Sequence, residues 1–363
     1  MKTGLVRHMF PGGNTPGGFY SYYDHMTPIT PKRIFVIKGG PGTGKSTFMK
    51  KISAEMTALG SSVEHHHCSS DPHSLDGLVL PALGVAFLDG TAPHIIDPKN
   101  PGCVGEIINL GSFWDEDKLV GQKEAIISCS QEISIQFQRA YRTLQAAKAL
   151  YDDWETINSS ALDCAAANGK AGNLLKALFG DNSTAGCGKV RRLFASAITP
   201  LGSVHYLDSL IDTMPRKFVI TGQPGTGKAT LMQRVLDEAV RRGYDAEAFY
   251  CPLDPRKPEH LLIPGLGLAL TTAAPPHLHI PAAVEQTINM DEFLNSVVTA
   301  RYADEAAYDM NCFWQHFHRA IGYISTAKKL HDQLETYYVP HMDFAGVQQV
   351  WEHTLQRVLA YGK

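Results

Sequence analysis

Apolar and polar positions fall into two alternating regimes along the chain. Ile34-Phe35-Val36-Ile37 is a short apolar run between Lys32-Arg33 and a stretch of glycines, the pattern of a buried parallel strand. The spacing predicts a helix over 44–59, with Gly60 where a left-handed cap costs least, then strands over 63–68 and 84–88. Strand, helix and strand within about 30 residues imply a right-handed crossover and a parallel sheet. The second regime begins near Asp115. From there to about Thr156 there is no proline and only Gly121, while Ile126, Ile133, Phe137, Ala140, Leu144 and Ala147 recur at helical spacing. A second helix over about 162–179 would return as a hairpin.

Both regimes occur twice. Gly39-Gly40-Pro41-Gly42-Thr43-Gly44-Lys45-Ser46-Thr47 returns as Gly222-Gln223-Pro224-Gly225-Thr226-Gly227-Lys228-Ala229-Thr230, an offset of 183 residues. The same offset pairs Gly60 with Gly243, Cys68 with Cys251, Asp71-Pro72 with Asp254-Pro255 and Gly84 with Gly267. Upstream, Arg7, Phe10 and Gly18 match Arg191, Phe194 and Gly202 at 184. Downstream, Phe137, Arg139-Ala140, Lys148 and Asp152 match Phe317, Arg319-Ala320, Lys328 and Asp332 at 180. Two homologous halves follow, 1–182 and 183–363, divided in the turn-rich stretch 180–186. The expected architecture is α/β: two tandem domains, each a parallel sheet flanked by helices with a C-terminal helical hairpin, about 115–180 and 296–361. Pro340 falls at the second hairpin's turn, and the halves would form an intramolecular pseudo-dimer.

The first glycine loop satisfies G-x-x-x-x-G-K-[ST] between a predicted strand and a predicted helix, the context that gives this phosphate-binding motif its meaning. Backbone N–H groups of Gly39 to Gly44 would turn inward around the phosphates, with Thr47 just inside the helix. Lys45 would reach the β and γ phosphates and the Ser46 hydroxyl would hold Mg2+. A second magnesium anchor is expected at the end of a neighbouring strand, where Asp89 stands, although Asp-Gly also favours a plain turn. In the second half Ser46 corresponds to Ala229 and Asp89 to Thr272, while Lys228 is kept. That pattern suits a P-loop half in which Gly222, Gly225, Thr226, Gly227, Lys228 and Thr230 hold phosphate without metal chemistry.

Asp71 and Asp76 are expected in the loop after the second strand, with Asp254 and Glu259 as counterparts. Asp71 is a candidate base or water-orienting group, or else a turn cap before Pro72. No glutamate follows Asp89. His65-His66-His67-Cys68 with His73 invites a metal reading, but strand alternation sends neighbours to opposite faces, and the second half has Ala248-Phe249-Tyr250-Cys251 there. His94 and His277 match within Pro-His and read as structural. Arg7 and Arg191, or Arg139 and Arg319, are candidate arginine fingers, with ordinary solvated arginine as the bland reading.

Composition narrows the partners. Thirty-three Lys and Arg against thirty-six Asp and Glu give a net charge of -3. No basic excess marks a nucleic-acid surface. The longest apolar stretch, 78–88, contains Pro81 and Gly84 and is too short to span a bilayer, and the first residues carry no apolar signal core. Seven scattered cysteines without a C-x-x-C pair suit a reducing compartment, so a cytoplasmic protein without membrane or nucleic-acid partners is expected.

Gly12-Gly13-Asn14-Thr15-Pro16-Gly17-Gly18-Phe19-Tyr20, the Lys45 loop, Cys68-Ser69-Ser70-Asp71 and Asp89-Gly90-Thr91-Ala92-Pro93-His94 together resemble a family of bacterial tandem P-loop NTPases known as ATPases, ATP-binding proteins or nucleotide kinase-like proteins. The resemblance covers nearly the whole chain and implies a P-loop fold with ATP as nucleotide. It names no physiological substrate. Three functions compete: Mg-ATP hydrolysis in the first half, with Lys45, Asp71 and Asp89 as catalytic residues and Ser46 and Asp89 on the metal; phosphoryl transfer to an acceptor held by residues 68–76, with Asp71 as base; and a non-catalytic scaffold in which ATP or ADP sets the angle between the halves, with a small-molecule or protein partner that the sequence does not name.

Overall fold

The computed structural model describes residues 3–27, 30–92 and 95–362. In chain order the first repeat contains β1 (Val6–Met9), β2 (Gly12–Thr15), β3 (Gly18–Ser21), β4 (Arg33–Lys38), α1 (Lys45–Ala58), β5 (Val63–Cys68), β6 (Asp71–Leu80), β7 (Val85–Asp89), β8 (Gly105–Asn109), α2 (Glu116–Val120), α3 (Lys123–Ser160) and α4 (Cys164–Phe179). The second repeat contains β9 (Val190–Leu193), β10 (Ser196–Thr199), β11 (Gly202–His205), α5 (Leu207–Ile211), β12 (Arg216–Thr221), α6 (Lys228–Arg241), β13 (Ala246–Cys251), β14 (Asp254–Ile263), β15 (Leu268–Ala273), β16 (Gln286–Asn289), α7 (Ser296–Arg301), α8 (Ala303–Tyr338) and α9 (Phe344–Ala360).

Each repeat forms a six-stranded sheet, ordered β1-β5-β6-β7-β4-β8 in one and β9-β13-β14-β15-β12-β16 in the other. The glycine-loop strand β4 lies between β7 and β8, parallel to both, as β12 lies between β15 and β16. The fold is α/β, as the hydrophobic pattern predicts. One strand departs from expectation. Asp71 and Asp76 do not lie in a loop: they belong to β6, which runs antiparallel to β5 and, over Gly77–Leu80, to β7. A two-residue connection, Ser69-Ser70, can only reverse the chain, and Leu75, Leu78, Val79 and Leu80 are buried once it does. β14 repeats the arrangement between β13 and β15.

Packing divides the chain into two compact units that cut across the sequence repeats. One comprises Met1–Gly12, Ser21–Gln138 and Tyr323–Lys363; the other comprises Gly13–Tyr20 and Arg139–Gly322. The hairpins are therefore exchanged: the sheet of the first repeat packs against the end of α8 and α9, not against the end of α3 and α4. Sequence similarity identifies homologous segments, whereas apolar faces decide what packs. In the first unit, Phe35, Ile37, Phe48, Ile52 and Phe87 share a core with Val347 and Val358 of α9, where Val350, Trp351, Leu355 and Leu359 extend the apolar stripe. Arg357 of α9 also forks onto Glu106 of β8 and lies 5.1 Å from the Phe35 ring. In the second unit, Leu174, Leu178 and Phe179 of α4 are buried, and Phe179 stacks against Arg242 at 5.4 Å. Among the described residues no helix is long and apolar enough to cross a membrane.

Candidate active site

The first glycine loop runs from the end of β4 into α1. Gly39, Gly42 and Gly44 take φ of 142°, 71° and 83°, conformations that a side chain would strain. The loop is also closely covered. A Cβ on Gly42 would lie 2.9 Å from Val339 Cγ2, and one on Gly40 would meet the Trp114 ring at 3.2 Å. Trp114 and Tyr338 pack with ring centroids 5.6 Å apart. Lys45 Nζ donates to the carbonyls of Gly39 at 2.6 Å and Gly40 at 2.9 Å, and stands 3.6 Å from Asp89 Oδ2. Ser46 Oγ accepts from the Leu75 amide at 3.0 Å, which ties α1 to β6. Thr47 is exposed on the first turn of α1.

Asp89 ends β7 opposite Ile37. Its Oδ1 accepts from the Thr91 amide at 2.9 Å and the Thr91 hydroxyl at 2.5 Å, so the residue caps its own turn and faces Lys45 with its other oxygen. Asp76 was not among the residues singled out for catalysis, yet it is the buried acid here. Desolvation and the nearby Asp89 charge push its carboxyl up to about 7, against the Tyr23 hydroxyl, the Cys68 thiol and Lys45, which favour the ionised form. Asp71 is placed differently. Its carboxylate accepts from the His73 amide at 3.2 Å and Ser74 Oγ at 2.9 Å, and Lys328 of α8 lies 3.4 Å away. Burial alone would raise Asp71, but Ser74 and Lys328 more than offset it and hold it below its ordinary value.

The structure thus brings together Lys45, Asp76 and Asp89, with Ser46 next along the chain and bonded to the neighbour of Asp76, while Asp71 pairs with Lys328 of α8. The donors are oxygen atoms of one hydroxyl and two carboxyls, a set that suits a hard cation such as Mg2+. Trp114, Tyr338 and Val339, which meet the loop near residue 40, and Lys328, which meets Asp71, were missed, since nothing in their local sequence announces these contacts. Their only signal was the pairing of Lys328 with Lys148 between repeats.

The second loop has the same backbone, with Gly222, Gly225 and Gly227 at φ of 136°, 84° and 85°. Lys228 Nζ donates to Gly222 O at 2.8 Å and Gln223 O at 2.5 Å, and burial lowers Lys228 to about 8. The Gln223 amide donates to Asp291 Oδ1 at 2.7 Å, so a carboxylate occupies part of this cradle. Asn158 Nδ2 and Ser159 Oγ of α3 donate to Pro224 O and Gly225 O at 2.8 and 3.0 Å. A cavity of about 210 Å³ remains, lined by Lys228, Ala229, Thr230, Glu259 and Thr272 among others. Burial pushes Glu259, the counterpart of Asp76, up to about 8.

Two other candidates are paired with acids: Arg7 with Glu64 at 2.9 Å and Arg191 with Glu247 at 3.2 Å, each across neighbouring strands. His94 lies outside the described residues. His277 is buried and lowered to about 3 by desolvation.

The sequence family described as NTPase matches residues 217–259, the segment from β12 through the second glycine loop, α6 and β13 into β14. A nucleoside-triphosphatase THEP1 from Sulfurisphaera tokodaii is 48% identical over 33 residues, 9% of this chain. The match spans 20% of that relative's length. No solved structure matches the chain. The family likeness is confined to the second glycine loop and the elements around it. The family match falls on the half whose loop carries Ala229 in place of serine, so it speaks for the nucleotide fold and not for which loop is the more active.

Proposed function

We propose that this protein is a Mg-ATP-dependent nucleoside triphosphatase that hydrolyses ATP at the first glycine loop and holds phosphate, without turning it over, at the second. The observation that carries the reading is the convergence of Lys45 with Asp89 and the buried Asp76, set against Ala229 and Thr272 at the other loop. The loop amides and Lys45 bind the phosphates. Ser46 and Asp89, with Asp76 beside them, would hold magnesium, whose charge supplies transition-state stabilisation when bound. Asp76 is poised to orient or deprotonate water, because a carboxyl near pH 7 exchanges a proton readily at physiological pH. Asp71 keeps Lys328 and α8 in place over the loop.

β6 pairs with β5 at Asp71, Leu75 and Gly77–Val79 but with β7 only over Gly77–Leu80, so residues 71–76 keep one unpaired edge and the choice between hydrolysis and phosphoryl transfer rests on experiment. ADP and free phosphate formed from Mg-ATP, with and without small hydroxyl acceptors, test this. Equal ADP rates with one phosphate released per ADP are expected; faster ADP formation with phosphate appearing on an acceptor would make it a kinase, and no turnover in either arm would make it a scaffold. Asp89→Asn should raise the magnesium concentration needed for half-maximal rate.

A further inference from the structure

β5 carries three consecutive histidines, and its pleat sends His65 and His67 to one face and His66 to the other. The alternation that breaks up a ligand set drawn from this strand alone therefore still leaves two imidazoles on one side. β1 brings the third. It pairs with β5 in a register that places His8 beside His65. The ring centroids of His8 lie 5.2 Å from His65 and 5.1 Å from His67, and those of His65 and His67 are 6.1 Å apart. One ring nitrogen from each lies within 4.8 Å of the other two. All three residues belong to the same compact unit.

The surrounding hydrogen bonds orient these rings as metal ligands are oriented. His67 Nδ1 is 2.8 Å from the Pro72 carbonyl, which can only accept, so Nδ1 carries the proton. Its Nε2 lone pair then points to His8 Nδ1 at 2.9 Å. His65 Nε2 is held by Ser53 Oγ of α1 at 2.6 Å, which leaves Nδ1 to face the cluster. A second ring nitrogen fixed by a carbonyl or hydroxyl is the usual support of a metal-bound imidazole. Burial keeps His65 and His67 neutral at pH 7, at about 4 and about 3. The nearest opposing charge, Lys50 on α1, directs its Nζ to the His73 carbonyl.

The other repeat shows that the fold does not need these rings. β9 pairs with β13 in the same register, with Arg192 where His8 stands and Ala248 where His65 stands. Tyr250 replaces His67, and Arg192 Nε reaches its hydroxyl at 3.3 Å. All three imidazoles are absent together, as a set with one purpose would be.

We propose that His8, His65 and His67 form a binding site for a borderline divalent transition-metal ion, of which Zn2+ is the type, with one coordination position open to water or a small anion. Without the ion, the His8 Nδ1 proton bridges to His67 Nε2. The ion takes the place of that proton, His8 shifts to its Nε2–H tautomer, and no net proton is released. The site is independent of the nucleotide reading, since its donors are imidazoles while those around Lys45 are oxygens. An ion here would fasten β1 and β5 to each other and, through Ser53 and Pro72, to α1 and the start of β6.

The test uses tag-free full-length protein, freed of metal by a chelator and titrated with Zn2+ without nucleotide or magnesium. One bound equivalent is expected, and Co2+ in its place should give visible bands of a nitrogen-ligated site. His8→Ala and His65→Ala should each weaken Zn2+ binding by at least about 10–100-fold, and Ser53→Ala by about 10-fold, while His331→Ala, in the separate His331, Asp332 and Glu335 group of α8, leaves it unchanged. X-ray absorption at the zinc edge of the wild-type protein keeps the test independent of how the variants fold: an imidazole shell is expected. Absence of a bound equivalent, a sulfur-dominated shell, or full affinity in folded His8→Ala and His65→Ala proteins would overturn the proposal.

Discussion

Lys328 of α8 holds its ammonium 3.4 Å from the Asp71 carboxylate at the start of β6. Each side chain is 26% exposed, and each has a second partner: Asp332 for the lysine and Ser74 for the aspartate. Partly solvated pairs of this kind contribute under about 1 kcal/mol, so neither Asp71→Asn nor Lys328→Ala should destabilise the protein beyond that in urea unfolding. Turnover should respond more. If the pair positions α8 over the glycine loop, each variant lowers the ATPase rate and the double variant is no slower than the worse single one. Multiplying losses would show that the two residues act separately.

The buried acids give stability a pH dependence of unusual sign. Asp76 at about 7 and Glu259 at about 8 lie well above the unfolded values of about 3.9 and 4.3. Between those limits the folded state binds protons that the unfolded state has lost, so the stability these two carboxyls contribute is full below about pH 4 and falls as pH rises to 7 or 8, whereas the buried neutral His260 and His277 act in the opposite direction below about pH 6.5. Asp76→Asn and Glu259→Gln should each raise the melting temperature at pH 8 and change it little at pH 5. A melting temperature that rises from pH 5 to 8 in the wild type and is unmoved by both substitutions would place these carboxyls in solvent. A magnesium ion beside Asp76 would hold its carboxyl below the metal-free value, so activity is tested by the substitution itself: Asp76→Asn should lower hydrolysis at pH 7 and pH 8 alike.

The chain declares the loop but not its surroundings. Apolar runs bounded by glycine mark β4 and β12, and the motif locates Lys45, Ser46 and Lys228, because strand period and loop conformation are local properties. β6 was read as loop since Asp71-Pro72 signals a turn, and only the pairing of Leu78 and Val79 between two strands overrides it. Helical spacing shows that α9 has an apolar stripe without saying which sheet receives it, so the exchanged hairpins were hidden. Asp76 was visible as an acid, while the burial that raises its carboxyl comes from packing between distant segments that also brings Tyr23 and Cys68 beside it. Alternation correctly separates His66 from His65 and His67, yet cannot reveal that β1 delivers His8.

Gly42 is constrained twice over, by its φ of 71° and by Val339. An alanine there costs about 1–2 kcal/mol in backbone strain and also collides with Val339 Cγ2, at 2.9 Å. Gly42→Ala should weaken binding of a fluorescent ATP analogue, and adding Val339→Ala should recover part of the loss by freeing space without changing the backbone. Full recovery would assign the whole effect to crowding. Unaltered binding in Gly42→Ala would show that this glycine is dispensable to the nucleotide loop.

The asymmetry between the loops is the sharpest test of the functional reading. Lys45 and Lys228 curl onto the same two loop carbonyls, so the two cradles begin from the same geometry. Around Lys228, however, Asp291 already takes the Gln223 amide, Ala229 has no hydroxyl and Thr272 no carboxylate. On the proposed reading Lys45 is the cation nearest the transferring phosphoryl group, and Lys45→Ala should cut single-turnover hydrolysis at least about 100-fold. Lys228→Ala should leave most hydrolysis in place while weakening phosphate binding at the second loop. Thr230 is the residue best placed to upset this expectation, because it lines the second cavity and carries a hydroxyl one position beyond Ala229. Thr230→Val separates the cases. Unchanged hydrolysis confines the chemistry to the first loop; equal losses in Lys45→Ala, Lys228→Ala and Thr230→Val would make both loops catalytic, with Thr230 serving where serine is missing.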